Sequence, residues 1–308
     1  VETSQTEINP PRGSFREYEH WFWSDAKVMA FSLISKTDED PTQAAGESLY
    51  EEMWSLYKAF LAAGIATAIA YAKRRGLHKT LPEEFAAIVS LSFKEFPEQL
   101  VDPMKQALGI ANAAGRATVP VAEITTSFNM VDARAVDALS RGIPLWVSEK
   151  IKRMRPEIAD LVRREVLEKG VHPRDLVPAL KDALNLKQKR DDLYFRFLAH
   201  NAAASARNLG VIRSMVMVGI ETYIIYTQLD ERVCPICAPM HGQVFRVEHA
   251  KTLLRAIDMA SNPEVLADVW PWHTRTSPNR ESPEDIVSFG GHVPPFHFGC
   301  RCYIYAQQ

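Results

Sequence analysis

Cys234-Pro235-Ile236-Cys237 and, far downstream, His297-Phe298-Gly299-Cys300-Arg301-Cys302 hold all 4 cysteines of this 308-residue chain. Two thiols two apart in a tight turn, joined to a second pair distant in sequence, bring soft ligands onto one tetrahedral ion and close the intervening chain into a loop. His297, three places before Cys300, adds a further donor. Four of Cys234, Cys237, His297, Cys300 and Cys302 suffice. Cys300 and Cys302 fall on one side of an extended segment, whereas His297 and Cys300 have the His-x-x-Cys spacing of a turn. A catalytic zinc keeps one position for water; with so many donors this site reads as closed, a structural Zn2+ staple.

Two other chemistries fit a Cys-x-x-Cys pair less well. A redox dithiol wants a strand before it and a helix after it, but here the chain runs into Ala238-Pro239-Met240-His241-Gly242, a turn. Two disulfides want an oxidising compartment, and the N-terminal residues do not read as a secretory signal.

The chain is long enough for two domains, and 46% apolar residues with a net charge of -2 describe an ordinary globular protein with no global pull toward nucleic acid or acidic lipid. Its longest apolar run, Ala59 to Ala72, is too short to cross a bilayer, so no membrane association is expected.

Residues 1–13 are polar, end in Pro10-Pro11-Arg12-Gly13 and read as a flexible arm. Phe15, Tyr18, Trp21, Phe22 and Trp23 follow, either as a helix packed on the body of the chain or as a docking element for a partner. Residues 14–185 read as a helical domain. Leu49, Met53, Leu56, Tyr57, Phe60, Ile65 and Ile69 predict one long helix over Thr42 to Arg75. Thr80 and Glu83 predict the cap of a second, ending before Pro97, and Asp102-Pro103 the start of a third, ending near Gly115. Thr118 to Asn129 reads as irregular. Gly142, Pro156, Gly170 and Gly210 are expected to divide the chain up to Leu209 into several shorter helices.

The texture then changes. Glu221 to Gln228, Gln243 to Val247 and Arg301 to Tyr305 are β-branched and aromatic, so a small sheet should carry the cysteines, with a helix from Glu248 to Asp258 between strands and a long loop from Asn262 to Gly291. The fold class is thus α+β, a mostly helical N-terminal region with a small C-terminal α+β domain stapled by zinc.

No GxxxxGK[ST], GxGxxG or HExxH occurs, so nucleotide hydrolysis, dinucleotide binding and zinc-protease chemistry lack their local signatures. The chain reads as a non-enzyme with no catalytic residues. The rival is a zinc-dependent hydrolase or nucleotide-modifying enzyme that uses His241, His273 or His292. Between Trp146 and Arg196, 13 Lys or Arg stand against 9 Asp or Glu. Lys150, Lys152, Arg153, Arg155, Arg163, Arg164, Lys187, Lys189 and Arg190 read as a solvated helical face or, alternatively, as a contact to packaged DNA.

The segments Thr227 to Cys237, Met240 to Phe245 and Pro294 to Cys302 together resemble the tailed-phage minor head proteins, the head-morphogenesis or phage Mu F-like family. Their C-terminal domain carries Asp-x-Arg-x-Cys-x-x-Cys, a hydrophobic-x-Gly turn and Pro-Pro-x-His-x-x-Cys-Arg-Cys in this order. The likeness is specific over residues 186–308 and general before them. It differs at Leu198-Ala199-His200-Asn201-Ala202, where members often have Ala-Arg-Thr, and in the length of the insertion before Pro294. The resemblance implies a structural virion component, a minor capsid protein inside the head near the portal vertex, that assists assembly or DNA packaging and delivery. Its implied partners are portal or major capsid protein, met in the host cytoplasm during assembly. From the residues themselves, Asp230 and Arg232 read as groups that orient the knuckle or as an ordinary turn and a surface cation.

Overall fold

The structure, a computed structural model, describes residues 40–76, 80–119, 130–169, 176–231, 233–260, 265–266, 269–270, 283–288, 292–297 and 299–307. The expected arm, the aromatic segment at 15–23, nearly all of the irregular stretch 118–129, Arg232, His273 and most of the loop at 262–291 lie outside these residues.

Helix α1, Pro41–Arg75, begins where the Asp40 carboxylate accepts the Thr42 N–H at 2.8 Å, and it has a proline in its first turn. Lys73, Arg74 and Arg75 meet the negative end of its dipole, and Gly76 stops it at φ 97. Leu49, Met53, Tyr57, Leu61 and Ala68 form its buried stripe. This helix is long and apolar enough to cross a membrane. Part of that apolar character comes from small residues such as Ala62, Ala63, Ala66 and Ala70, which face outward while the larger side chains pack inward.

Helix α2, Pro82–Ser92, starts one residue later than the Thr80 cap predicts: Glu84 rather than Glu83 reaches back, to the Leu81 N–H at 3.2 Å. The short α3, Phe96–Gln99, and α4, Val101–Ala117, follow. Phe93 and Phe96 stand edge to face at 5.7 Å, and the Tyr57 ring packs on Phe93 at 5.4 Å and on Phe195 at 4.9 Å.

Helix α5, Met130–Val162, continues through Gly142, Pro144 and Pro156, where breaks were expected. Each internal proline costs about 3 kcal/mol of helix stability. Buried Ile143, Val147, Met154 and Ile158 offset that cost by anchoring the helix against α2, α4 and α6. Gly142 allows contact, since a Cβ there would meet Leu266 Cδ2 at 2.8 Å. One wider turn, Arg163–Glu168, ends the run, with the Lys169 N–H bonded to Arg164 O at 3.0 Å.

Helix α6, Leu176–Val218, likewise runs through Gly210 and stops only at Gly219, φ 74. Gly210 is a crossing point rather than an end. A Cβ there would lie 2.2 Å from Asn112 O on α4, and one at Gly115 would lie 2.0 Å from Arg207 O on α6. Paired glycines therefore let two backbones approach more closely than side chains permit. Asn112 Nδ2 bonds across the same crossing to Ala206 O at 3.0 Å.

About five turns before this crossing along α6, the helical core contains a charged pair. Lys150 Nζ lies 3.1 Å from Asp191 Oδ1, both nearly fully buried, and the Tyr57 hydroxyl donates to the same carboxylate. Burial first, then the charge of Asp191, pushes Tyr57 well above its usual range, so it stays a donor. Lys150→Met should destabilise the protein by about 3–5 kcal/mol, because Asp191 would be left buried without its cation. Denaturant unfolding checks this; a change under 1 kcal/mol would show that the pair is not desolvated.

The C-terminal part is a three-stranded antiparallel sheet, β1 Thr222–Tyr226, β2 Val244–Arg246 and β3 Tyr303–Gln307, in the order β2-β1-β3. Tyr223 pairs with Phe245 and Ala306, and Ile225 with Ile304. Between the strands lie α7, Cys237–Met240, α8, Val247–Met259, and α9, Pro283–Ser288. The described residues are therefore mostly helical, with one small sheet near the C-terminal end.

Candidate metal centre

After β1 the chain turns at Asp230, whose carbonyl accepts the Val233 N–H at 3.0 Å, and enters the knuckle. There the Cys237 N–H points at Cys234 Sγ, 3.2 Å away, and the Ala238 N–H bonds to Cys234 O at 2.9 Å. Both sulfurs are thereby turned inward.

The second half of the site is a strap, residues 292–302, held from α6 by two buried asparagines seven residues apart on one stripe. Asn201 Nδ2 donates to His297 O at 3.1 Å while its Oδ1 accepts the Gly299 N–H at 3.0 Å. Asn208 Nδ2 donates to Pro294 O at 2.8 Å. Tyr223 Oη and Trp270 Nε1 donate to His292 O and Val293 O at 2.8 and 3.2 Å. Gly299 at φ 73 turns the strap back, so that the Cys300 N–H reaches His297 O at 3.1 Å.

These supports gather the five sequence-predicted donors, all buried, in two overlapping groups that share Cys237: Cys234, Cys237 and His297, and Cys237, Cys300 and Cys302. His297 Nε2 lies 3.0 Å from Cys234 Sγ and 3.1 Å from Cys237 Sγ, which are hydrogen-bond distances. Cys237 and Cys300 sulfurs are 3.7 Å apart. Two thiolates on one tetrahedral zinc, with bonds of about 2.3 Å, stand about 3.8 Å apart. None of the four thiols is in a disulfide. The set can hold a thiophilic metal ion.

Electrostatics points the same way. Burial pushes the Cys300 thiol up, but bonds to Cys237 and Cys302 and the charge of His297 outweigh it and hold Cys300 well below the usual thiol range. Its neighbours go the other way. Cys237 is raised by its bonds to Cys234 and then to Cys300 and Cys302, and Cys302 is raised chiefly by burial. One anion is what such a buried group supports alone; a bound cation lets more of the thiols ionise.

Residues 156–305 match the family described as Phage Mu protein F like protein. This stretch belongs to that family. No curated protein and no solved structure matched the chain. The Phage Mu F-like stretch begins within α5 and takes in all of α6, the sheet, the knuckle and the strap.

Within it, Asp230 has a partner that the sequence reading passed over. Arg301, between the two tail cysteines, grips Asp230 with two parallel bonds of 2.9 and 2.5 Å and so ties the strap to the knuckle. Asn201 was also passed over, although it lies where the chain departs from the family's usual Ala-Arg-Thr. Nothing local marks it, because its partners are about a hundred residues away. Asn201→Leu would leave the Gly299 N–H without its partner and His297 O with only the Cys300 N–H, and should cost about 1–3 kcal/mol. A shift in denaturant midpoint measures it, and no shift would mean the strap is held elsewhere.

Two of the three histidines considered for catalysis, His241 and His292, have contacts of their own. His241 Nδ1 lies 3.2 Å from the Thr227 N and 2.8 Å from its O. His292 packs edge-on against Phe245 and 5.0 Å from His249, and burial lowers its pKa. Several cations of the basic stretch are paired internally: Lys150 with Asp191, Lys152 with Glu149, and Arg163 with Glu83 and Asp160. The side chains of Lys187, Lys189 and Arg190 lie outside the described set.

Proposed function

We propose that the chain is a structural minor head protein of a tailed phage, acting at the portal vertex or on the capsid interior during head assembly and DNA packaging or delivery. The observation that carries this is the family match over residues 156–305, which includes every donor of the candidate centre. In this reading residues 14–185 form a helical part that meets portal or major capsid protein, and residues 186–308 form the minor-head-type domain. One zinc ion, held by Cys234, Cys237, His297 and Cys300, fastens knuckle to strap. Cys302, grouped with Cys237 and Cys300, is the fifth donor and in this reading stays out of the coordination sphere. The ion supplies folding free energy rather than chemistry, because four protein donors leave no place for a substrate.

Any DNA contact belongs to whatever part of the 146–196 face remains after its internal ion pairs are made, so it should be weak and steeply salt-dependent. Co-expression with portal and major capsid protein tests the assembly role. The chain should co-sediment with assembled heads at a few copies each. Heads that form normally while the chain stays in the supernatant would overturn it.

A further inference from the structure

Helix α1 packs one side against α2, α4 and α6 and turns the other outward, and the charges of the outward side stand at its two ends. Glu51 and Glu52 are exposed at one end, Lys73 and Arg74 at the other, about 32 Å away along the axis. Between them the exposed positions after Lys58 are Ala59, Ala62, Ala63, Ala66, Thr67 and Ala70, so no charge interrupts the face for about four turns. A helix face meant only for water carries charges of both signs along its length. Here an 18-residue apolar stretch of α1 is only 28% buried.

The spacing on this face is that of a helix pair. Glu52, Ala59, Ala66 and Lys73 recur every seven residues, with Leu56, Ala63 and Ala70 four places after the first three. That is the seam of two helices packed along their length, and it is separate from the inward stripe of Leu49, Met53, Tyr57 and Leu61 that holds α1 to its own bundle. Small side chains in the middle of the seam let two axes approach to about 8 Å.

Charge decides which helix fits. A second copy laid parallel would set acid against acid at one end and base against base at the other. Turned end for end about a two-fold axis between Ala62 and Ala63, it brings Ala59 level with Ala66 and Ser55 level with Ala70. The same rotation sets Glu51 and Glu52 of each copy beside Lys73 and Arg74 of the other, so both ends are matched at once. A bilayer over this face would leave all four charges unmatched. We propose that α1 pairs with α1 of a second copy, antiparallel and two-fold symmetric, through this outward face. About 35 Å of helix contact buries on the order of 1,000 Å² in total, at the small end of specific interfaces, so the pair should form at micromolar concentration and loosen with added salt.

Sedimentation equilibrium of the full chain tests this with two charge-reversed variants, Glu51→Lys with Glu52→Lys, and Lys73→Glu with Arg74→Glu. The unaltered chain should be a dimer in low salt. Each variant alone should dimerise at least about tenfold more weakly, since like charges then meet at both ends, and an equimolar mixture of the two should recover the dimer because each supplies what the other lacks. Ala62→Arg, in the middle of the face and clear of the helix ends, should weaken the dimer as much while the thermal midpoint of the dilute monomer stays fixed. A chain that is monomeric at every concentration, or that is recovered as a monomer on phosphatidylcholine vesicles, would overturn the proposal. So would a dimer that tolerates Ala62→Arg, or one that both charge-reversed variants form as well as the unaltered chain.

Discussion

Cys237→Ser should abolish metal retention and unfold the C-terminal part, whereas Cys302→Ser should leave one zinc per chain. Cys237 is the donor common to both groups at the site, it lies 3.1 Å from His297 Nε2 and 3.7 Å from Cys300 Sγ, and its own N–H orients Cys234. Losing its thiolate removes the one ligand that links the two groups, although the backbone N–H that orients Cys234 remains. Structural zinc contributes on the order of 10 kcal/mol in small metal-dependent folds, far more than the sheet and strap can replace. Metal content by mass spectrometry, with amide exchange over residues 222–307, separates the two variants. The same loss should follow acidification, with a sign fixed by the thiol of Cys237: it is held above the usual range, so protons compete with the metal for it increasingly as pH falls. Equal metal loss in both variants would mean that Cys302 is a ligand.

Gly210→Ala should strongly destabilise the helical body. The added methyl would sit 2.2 Å from the Asn112 carbonyl oxygen, and neither backbone can yield without separating α4 from α6. Overpacking at a backbone crossing costs about 3 kcal/mol, a fall of roughly 5 °C in thermal midpoint for a chain of this size. Gly115→Ala, on the other side of the same crossing, should match it. Gly142→Ala should not, because its Cβ meets only the end of the flexible Leu266 side chain. Thermal unfolding of the three variants checks the order, and equal midpoints would contradict the crossing as the keystone of the bundle.

These glycines also show where reading the chain reached its limit. The helix Pro41–Arg75 was legible because its apolar spacing, its N-terminal Asp-Pro pair and its C-terminal Gly76 are all local signals. The β-branched runs at 222–226 and 244–246 were legible for the same reason, and so was the Cys-x-x-Cys turn. Gly142 and Gly210 were read as helix ends, since a glycine that stops a helix and one that admits a neighbour look alike until the neighbour is in place. Pro156 was read as a break because the burial that holds α5 straight is tertiary. Asn201 and Arg301 carried no signal, their partners being distant in sequence. The donors themselves could be named in advance, but the order of their support could not.

Zinc-edge X-ray absorption on the purified full chain tests the central claim most directly. The account predicts one zinc per chain with three sulfur neighbours at about 2.3 Å, one nitrogen at about 2.0–2.1 Å and no exchangeable oxygen. A chain that folds stably with no metal, or a zinc that carries a bound water in place of one of these donors, would contradict it.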